Sequence, residues 1–429
     1  PLHLLGLLVA AAVFHGALAQ SRPAPSHLTL FYWWIAVGGL LGGVWNAIAA
    51  PVLFPTVLEY PLALLLGLWL LQAPDFASAR WGKLRLRLTL PLGLGLLGGG
   101  LLVGISGQWS GHTLAGLVGA IALVGLAGYA AGFGRWKLTI GLALVVLLNQ
   151  FSVGAQAGVL ASDRSFFGVY RVLQTTAHGG YHSLLHGTTL HGKQSLAPSR
   201  QNEPLTYFTR TGPIGQLFDS MQQRSTPLHT VGVLGLGVGT LAAYGQPGQA
   251  WTFYEIDPLA QQLATNPAYF RFLQDSPAQV EIALGDGRLA IARTPNQSFD
   301  LLVMDAFSSD SIPLHLITQE AIRLYFAKLA PNGLLAINIT NRFLDLNPVL
   351  GAIAQSLNLV SLTQSDLEVS DLERNQGKAP SRWVVLARQR QALGSLLNDP
   401  RWQAIAPTTA PVWTDDFSNI LHALRQPGR

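Results

Sequence analysis

Cysteine is absent from this chain of 429 residues. Its absence excludes disulfides, thiolate metal sites and cysteine nucleophiles, and leaves the redox compartment open. Charge is also scarce, with Asp, Glu, Lys and Arg making up 11% of the residues. The scarcity is uneven. Residues 1–151 hold two acids, Glu59 and Asp75, and seven basic residues, Arg22, Arg80, Lys83, Arg85, Arg87, Arg135 and Lys137. The remaining 278 residues hold 20 acids and 20 bases, so the net charge of +5 resides in the first third. The balanced remainder offers no basic face to nucleic acid, and no nucleic-acid partner is expected. No internal repeat is present, and the length exceeds one average domain.

What the first third has instead of charge is long apolar runs, near 1–19, 28–50, 57–73, 88–106, 113–133 and 137–158. Each is about long enough to cross a hydrocarbon core of ~30 Å at ~1.5 Å per residue. Gly and Ala in 28–50 and 88–133 suit close helix approach. Tyr32, Trp33 and Trp34 stand where interfacial aromatics stand. Residues 1–158 are therefore expected to form a transmembrane domain of about six helices, with the lipid bilayer as partner. The first run has no basic leader, and the chain opens on Pro1, so further upstream sequence is expected. Glu59 and Asn46 are polar groups at or within apolar runs, with Glu59 near enough to an end to be interfacial. If all six runs span, the loops that carry the seven bases share one side. The positive-inside rule makes that side cytoplasmic and the following domain external; one non-spanning run reverses this.

From about 160 the pattern changes. SFFGVYRVLQTT (165–176) and YHSLLHGTTLHGK (181–193) predict short strands with glycine-containing turns, a hairpin region over 159–211. Strand and helix then alternate over 212–429. Strands are expected at 229–237, 250–257, 280–286, 299–307, 333–340 and 382–388, and helices at 212–223, from 240, at 258–266 and at 318–330. Such alternation predicts an α/β domain with a parallel sheet covered on both faces.

VLGLGVGT (233–240) is the first strand-to-helix turn of that alternation. Gly235, Gly237 and Gly239 would let backbone approach a ligand and take positive φ. Glu255 ends the next strand in FYEID, placed to accept from two ribose hydroxyls. GDG, with Asp286 and Gly287, follows the third strand, and Asp305 ends the fourth. All of these fall at strand carboxyl ends, where such sheets bind ligands. Thr240 and Leu241 stand where a dinucleotide fingerprint would carry its third glycine. A nucleoside without phosphates fits better, with Asp286 accepting from an adenine amino group.

At these residues the chain resembles the spermidine synthase (polyamine aminopropyltransferase) family, in its membrane-fused bacterial form. LGLGVG, FYEID, LGDGR, FDLLVMDAFSSDSIPLHLIT and WTDDFSN (413–419) carry the resemblance. It implies a Rossmann-like domain of the S-adenosylmethionine-dependent transferase type. The co-substrate would be decarboxylated S-adenosylmethionine or S-adenosylmethionine, with no permanently bound cofactor and no metal. Glu255 and Asp286 would bind the nucleoside. Asp305 and Asp310 would be catalytic, Asp310 in a gate loop over a small amine acceptor. Tyr207, His186 and His191 would line the acceptor pocket. The implied location is the bacterial inner membrane, with membrane-protein partners or a homo-oligomer. The chain departs from the family at Val238, where an acid binds the donor's amine, and at Phe167-Gly168 in place of Tyr-Gln. Its Tyr-His-Glu becomes Tyr207-Phe208-Thr209, and the late Pro-Thr-Tyr-Pro is absent, with QGKAPSRW (376–383) there. A non-catalytic transferase-fold subunit, or a methyltransferase for another acceptor, are the alternatives these departures leave open.

His178, His182, His186 and His191 would place three ligands on one helix face, but the glycines among them favour a hairpin over a metal site. Asp415 or Asp416 would cap the pocket or start a helix.

Overall fold

The computed structural model describes residues 2–70, 158–187, 189–306, 313–341 and 343–425. The chain divides into two compact units, Pro1–Val159 and Leu160–Arg429.

The first unit contains helices Leu2–Gln20, Leu28–Val44, Ala50–Leu53 and Glu59–Leu70. Leu28–Val44 runs into Ala50–Leu53 through a π-helical turn, Trp45–Ala49. Pro51 lacks the N–H a regular turn would use, and a wider turn just before it accommodates that loss. The Asn46 side chain donates to the Gly42 carbonyl at 2.8 Å beside the loosened turn. The stretch Pro25–Leu53 is the one helix among the described residues long and apolar enough to cross a membrane. Its Trp33, Trp34, Leu40, Leu41 and Ile48 are exposed. Among the described residues this helix is little buried. The sequence predicts six crossings. Of the run at 57–73, the described part is the helix Glu59–Leu70. The runs from 88 onward lie outside the described residues. A multi-pass domain is therefore not established.

In the second unit, β1 (Val159–Ser165), β2 (Gly168–Thr175), β3 (Tyr181–His186) and β4 (Thr189–Ser195) form a four-stranded sheet in sequence order. The hairpin reading of the histidine segment is the observed one. The larger sheet has eight strands: β5 (Thr230–Leu234), β6 (Ala250–Glu255), β7 (Gln279–Leu284), β8 (Phe299–Met304), β9 (Leu329–Asn338), β10 (Val360–Asp366), β11 (Ser381–Ala387) and β12 (Gln403–Ala404). Their order is β12-β10-β11-β9-β8-β5-β6-β7. β5 to β9 are parallel, while β10, β11 and β12 join by antiparallel pairings. The expected all-parallel sheet is thus corrected to a mixed one. VSLTQSD, the β10 sequence, is too polar to read as a core strand, yet Gln364 within it is buried.

The two faces separate by strand alternation. Val231, Val233, Leu301, Val303 and Val385 pack with Ile214, Leu217, Phe218 and Met221 of the helix Pro213–Gln222. Leu234, Leu302, Met304, Leu335, Ile337 and Leu386 pack on the other face with Ile322, Tyr325 and Phe326 of the helix Gln319–Lys328 and with Leu350 and Ile353 of the helix Asn347–Ser356. A period of two, with both sets buried, is what a doubly covered sheet requires. The strand order reverses between β5 and β8, making this a Rossmann-like sheet with its switch point there.

Candidate nucleoside-binding site

Strand register sets the site. Leu234 lies opposite Tyr254 on β6 and Met304 on β8, and Glu255 lies opposite Leu284 on β7. Gly235, Glu255, Asp286 and Asp305 therefore all emerge along one edge, at the switch point.

Gly235, Gly237 and Gly239 have φ of 96°, 55° and 77°, values that disfavour side chains. A Cβ on Gly235 would run into the Asp305 carbonyl, and one on Gly237 would lie 2.8 Å from the His191 carbonyl. A Cβ on Gly239 would meet the Leu273 side chain. The positive φ expected of these glycines is observed, and none of them has room for a Cβ. Their open sides face other protein atoms, so they admit close chain packing. Val238 between them is fully buried, and Gly192 on β4 has no room for a Cβ beside it. Val238 joins Tyr170, Val172, Leu184, Leu263 and Phe270 in one apolar cluster. The position of the family's donor-binding acid is thus a packing contact between the small sheet and the glycine turn.

Glu255 accepts from Leu236 N–H at 3.1 Å and from Asp257 N–H at 2.9 Å, one to each oxygen. Burial raises its pKa, and these backbone donors partly offset that rise. A carboxylate offers about four lone-pair sites, so acceptor capacity remains for two hydroxyls. Asp257 is buried. It caps the helix Pro258–Thr265 through Leu259 N–H at 2.9 Å and accepts from Ser165 Oγ. Burial, together with the charges of Asp257 and Glu255, holds the Tyr170 hydroxyl far above its ordinary pKa.

Asp286 caps the helix Gly287–Arg293 through Leu289 N–H at 2.8 Å, and its other oxygen lies 3.2 Å from His315 Nε2. Around it Ile256, Leu284 and Leu289 leave 47%, 50% and 62% of their surfaces exposed. Exposed aliphatics beside a hydrogen-bonding acid provide what a flat heteroaromatic ring needs.

Asp305 accepts from Asn338 Nδ2 at 2.6 Å. Asn338 Oδ1 in turn accepts from the Thr340 amide at 2.9 Å and hydroxyl at 2.6 Å. Burial raises the Asp305 pKa to about 7, against the lowering by Asn338. Asp310 falls within 307–312, outside the described residues.

The predicted acceptor-pocket residues divide. His186 is 2% exposed, stacks on Tyr170 with centroids 4.3 Å apart, and donates from Nε2 to the Phe167 carbonyl at 2.9 Å. Its ring occupies the space a side chain on Gly168 would need. His186 is therefore packed inside the small sheet, a correction to its predicted lining role. His191 lies 5.5 Å from it, ring to ring. Tyr207 packs on Phe208 at 4.3 Å, against the first core face. His182 Nδ1 is 2.9 Å from the Tyr269 carbonyl. Among the described residues no three metal-ligating side chains converge.

In WTDDFSN, Trp413 is fully buried. Asp415 accepts two bonds from Arg288 at 2.7 Å and one from Thr318 Oγ1 at 2.7 Å. Arg288 and Thr318 hold its pKa down at about 2. The segment thereby ties the GDGR turn to the start of the helix Gln319–Lys328. The short helix Ile420–Ala423 is capped by Asn419, not by Asp415 or Asp416.

Sequence reasoning missed Asn338, Asp257 and the Arg288–Asp415 pair. Asp257 had a signal, an acid directly before Pro258 at a helix start. Asn338 is the one amide in the strand LLAIN, an oddity worth noticing.

No family model matches the chain. Residues of the chain are 27% identical over 204 positions to the polyamine aminopropyltransferase of Vibrio vulnificus, covering 46% of this chain and 63% of that protein. They are 29% identical over 165 positions to an N-terminal histidine N-methyltransferase of Emericella nidulans, covering 37% of this chain and 28% of that protein. The chain thus spans less than two thirds of the length of either relative. A probable spermidine synthase from Corynebacterium glutamicum superposes with a TM-score of 0.42 at 17% identity, over 63% of this chain and 99% of that one.

Proposed function

We propose that the chain is a spermidine synthase-like transferase that binds an adenosyl sulfonium nucleoside across the tips of β5, β6 and β7. It transfers an aminopropyl group from decarboxylated S-adenosylmethionine to an amine held at Asp305. The observation that carries this reading is the convergence of Glu255, Asp286 and Asp305 on one sheet edge at the switch point, with spare acceptor capacity on Glu255. The similarity to an aminopropyltransferase supports it.

The chemistry asks little of the protein beyond alignment. A neutral amine nitrogen attacks the carbon bonded to sulfur. The C–N bond forms as the C–S bond breaks, its electron pair passes to sulfur, and a thioether leaves. The ammonium proton goes to Asp305, whose pKa of about 7 suits a general base near neutrality. Asn338 orients the carboxylate through its 2.6 Å contact. Glu255 holds the ribose, and Asp286 with its apolar neighbours holds the adenine.

The helix Pro25–Leu53 would anchor the enzyme in the bacterial inner membrane, with lipid as its partner. A second reading, methyl transfer from S-adenosylmethionine itself, is favoured by Val238, whose burial leaves no carboxylate there for the donor's amine. Calorimetric titration with S-adenosylmethionine, its decarboxylated form and methylthioadenosine separates these readings. Tightest binding of the decarboxylated donor supports aminopropyl transfer. Preference for S-adenosylmethionine supports the second reading, and no binding of any overturns both. A reporter fused at Arg429 would locate the domain.

A further inference from the structure

Asp305 is the last link of a chain of hydrogen bonds that begins on the main chain of β11. Parallel pairing sets Met304 opposite Ile337, so Asp305 emerges beside Asn338 at the end of β9. Antiparallel pairing sets Asn338 opposite Trp383, so Thr340 stands just past β9, next to the start of β11. The Arg382 main-chain N–H donates to Thr340 Oγ1 at 3.0 Å. The Thr340 hydroxyl donates to Asn338 Oδ1 at 2.6 Å, and the Thr340 main-chain N–H donates to the same oxygen at 2.9 Å. Asn338 Nδ2 then donates to Asp305 Oδ1 at 2.6 Å.

Chemistry fixes the direction of every link. A main-chain N–H can only donate. The atom of Asn338 that meets the Thr340 amide is therefore its oxygen, and the atom that meets Asp305 is its nitrogen. The Thr340 hydroxyl has one proton to give. The Arg382 carbonyl lies 3.5 Å away and already accepts from Ile339 N–H at 2.9 Å, so that proton goes to Asn338. Donors aligned head to tail polarise one another, and the bond that reaches Asp305 gains from those behind it. Asn338 is buried, which keeps water out of this chain. Among the described residues, burial and Asn338 act on the Asp305 pKa in opposite senses, and no charged side chain adds to them.

A tie between β9 and β11 would need only the bond from Arg382 to Thr340. The bond from the hydroxyl to Asn338 joins no strands. We propose that Thr340 is a positioning residue of the transfer reaction, its hydroxyl acting through Asn338 to fix the Asp305 carboxylate and set how readily it takes the amine's proton. This rests on the transferase reading above. Thr340 acts at one remove: it changes the strength and direction of the Asn338 donor, and Asn338 in turn favours the ionised form of Asp305.

The test follows turnover of decarboxylated S-adenosylmethionine with 1,4-diaminobutane by the full chain in lipid nanodiscs, as a function of pH. Thr340→Val keeps the shape of the side chain and removes the hydroxyl. At neutral pH it should lower kcat about tenfold, partly by misalignment and partly by protonation of Asp305. The KM for the diamine and the affinity for methylthioadenosine should stay within about twofold. The acid limb of the kcat profile should move up by about half to one pH unit. The sign follows because a weaker donor disfavours the carboxylate, which then keeps its proton to higher pH. Thr340→Ser retains the hydroxyl and should return both rate and limb toward the wild type. In an Asn338→Ala background, Thr340→Val should change kcat by less than about twofold, since the link is already cut. An unmoved limb in Thr340→Val, no rescue by Thr340→Ser, or full additivity with Asn338→Ala overturns the proposal. If Thr340→Val loses nucleoside binding, Thr340→Ala, which leaves room for water at the Arg382 N–H, decides in its place. Loss in both makes Thr340 a residue of the fold and overturns the proposal as well. A wild-type chain that binds no methylthioadenosine, or transfers no aminopropyl group, overturns the transferase reading and this one with it. Turnover that is indifferent to Thr340 overturns this one only.

Discussion

On the β6 side of the switch point, Glu255 receives one backbone N–H on each oxygen, and Asp286 caps a helix through a third. On the β8 side, Asp305 receives a single side-chain donor. The first side is held by the main chain, whose geometry the fold sets once and for all. The second is held by a side chain, and burial with fewer donors raises the Asp305 pKa to about 7. Backbone wiring suits a constant, uncharged target such as a ribose. A carboxylate with a single donor suits a group that must gain or lose a proton.

The comparison breaks most visibly at Asp305. Asp305→Asn keeps an oxygen for Asn338 but removes the base, so transfer should fall by about 10²- to 10⁴-fold with methylthioadenosine affinity unchanged. A smaller loss, measured by product mass, would make the two sides alike. The same variant has a pH signature. A carboxyl whose pKa rises on folding, to about 7 here, binds its proton more tightly in the folded state. Wild-type stability from this group therefore falls as pH rises from about 4 to about 7 and is level above. Asp305→Asn should lack that fall and be the more stable protein at pH 8 in denaturant titrations.

Next in size, Glu255→Ala should weaken methylthioadenosine about 10- to 100-fold, losing the ribose contacts and freeing Leu236 N–H. An unchanged affinity would show that the backbone-held side binds nothing. Gly237→Ala should cost about 1–2 kcal/mol of stability, because φ is 55° and the His191 carbonyl stands in the way. A thermal shift near zero would mean that the small sheet does not bear on the turn. The smallest effect is expected at Asp415→Asn. That ion pair is partly exposed, so the loss should be about 0.5–1 kcal/mol. Because Asp415 is held at about 2, its contribution is present above about pH 4 and lost as pH falls toward 2. The variant should therefore match the wild type near pH 2.

Much of this arrangement was legible. The strands at β5, β6, β7 and β8 announce themselves as apolar runs ending in Gly, Glu, Asp and Asp, and the residues after those runs do share an edge. β10 was not legible, since VSLTQSD owes its burial to Trp383 opposite Gln364 and not to its own composition. The helix expected from Thr240 is a single 3₁₀ stretch, Thr240–Tyr244. His186 showed the opposite failure. A histidine in a polar hairpin reads as exposed, and only the glycine at 168 and the ring of Tyr170 make room to bury it.

The order of residues along the chain determined where strands end and which acids end them, because apolar runs and turn glycines are local properties. It also determined that residues 25–53 form an apolar helix of spanning length. Tertiary structure alone decided what each acid faces. Whether a carboxylate meets a backbone amide, as Glu255 does, a helix end, as Asp286 does, or a lone amide in a buried niche, as Asp305 does, depends on partners up to 33 residues away.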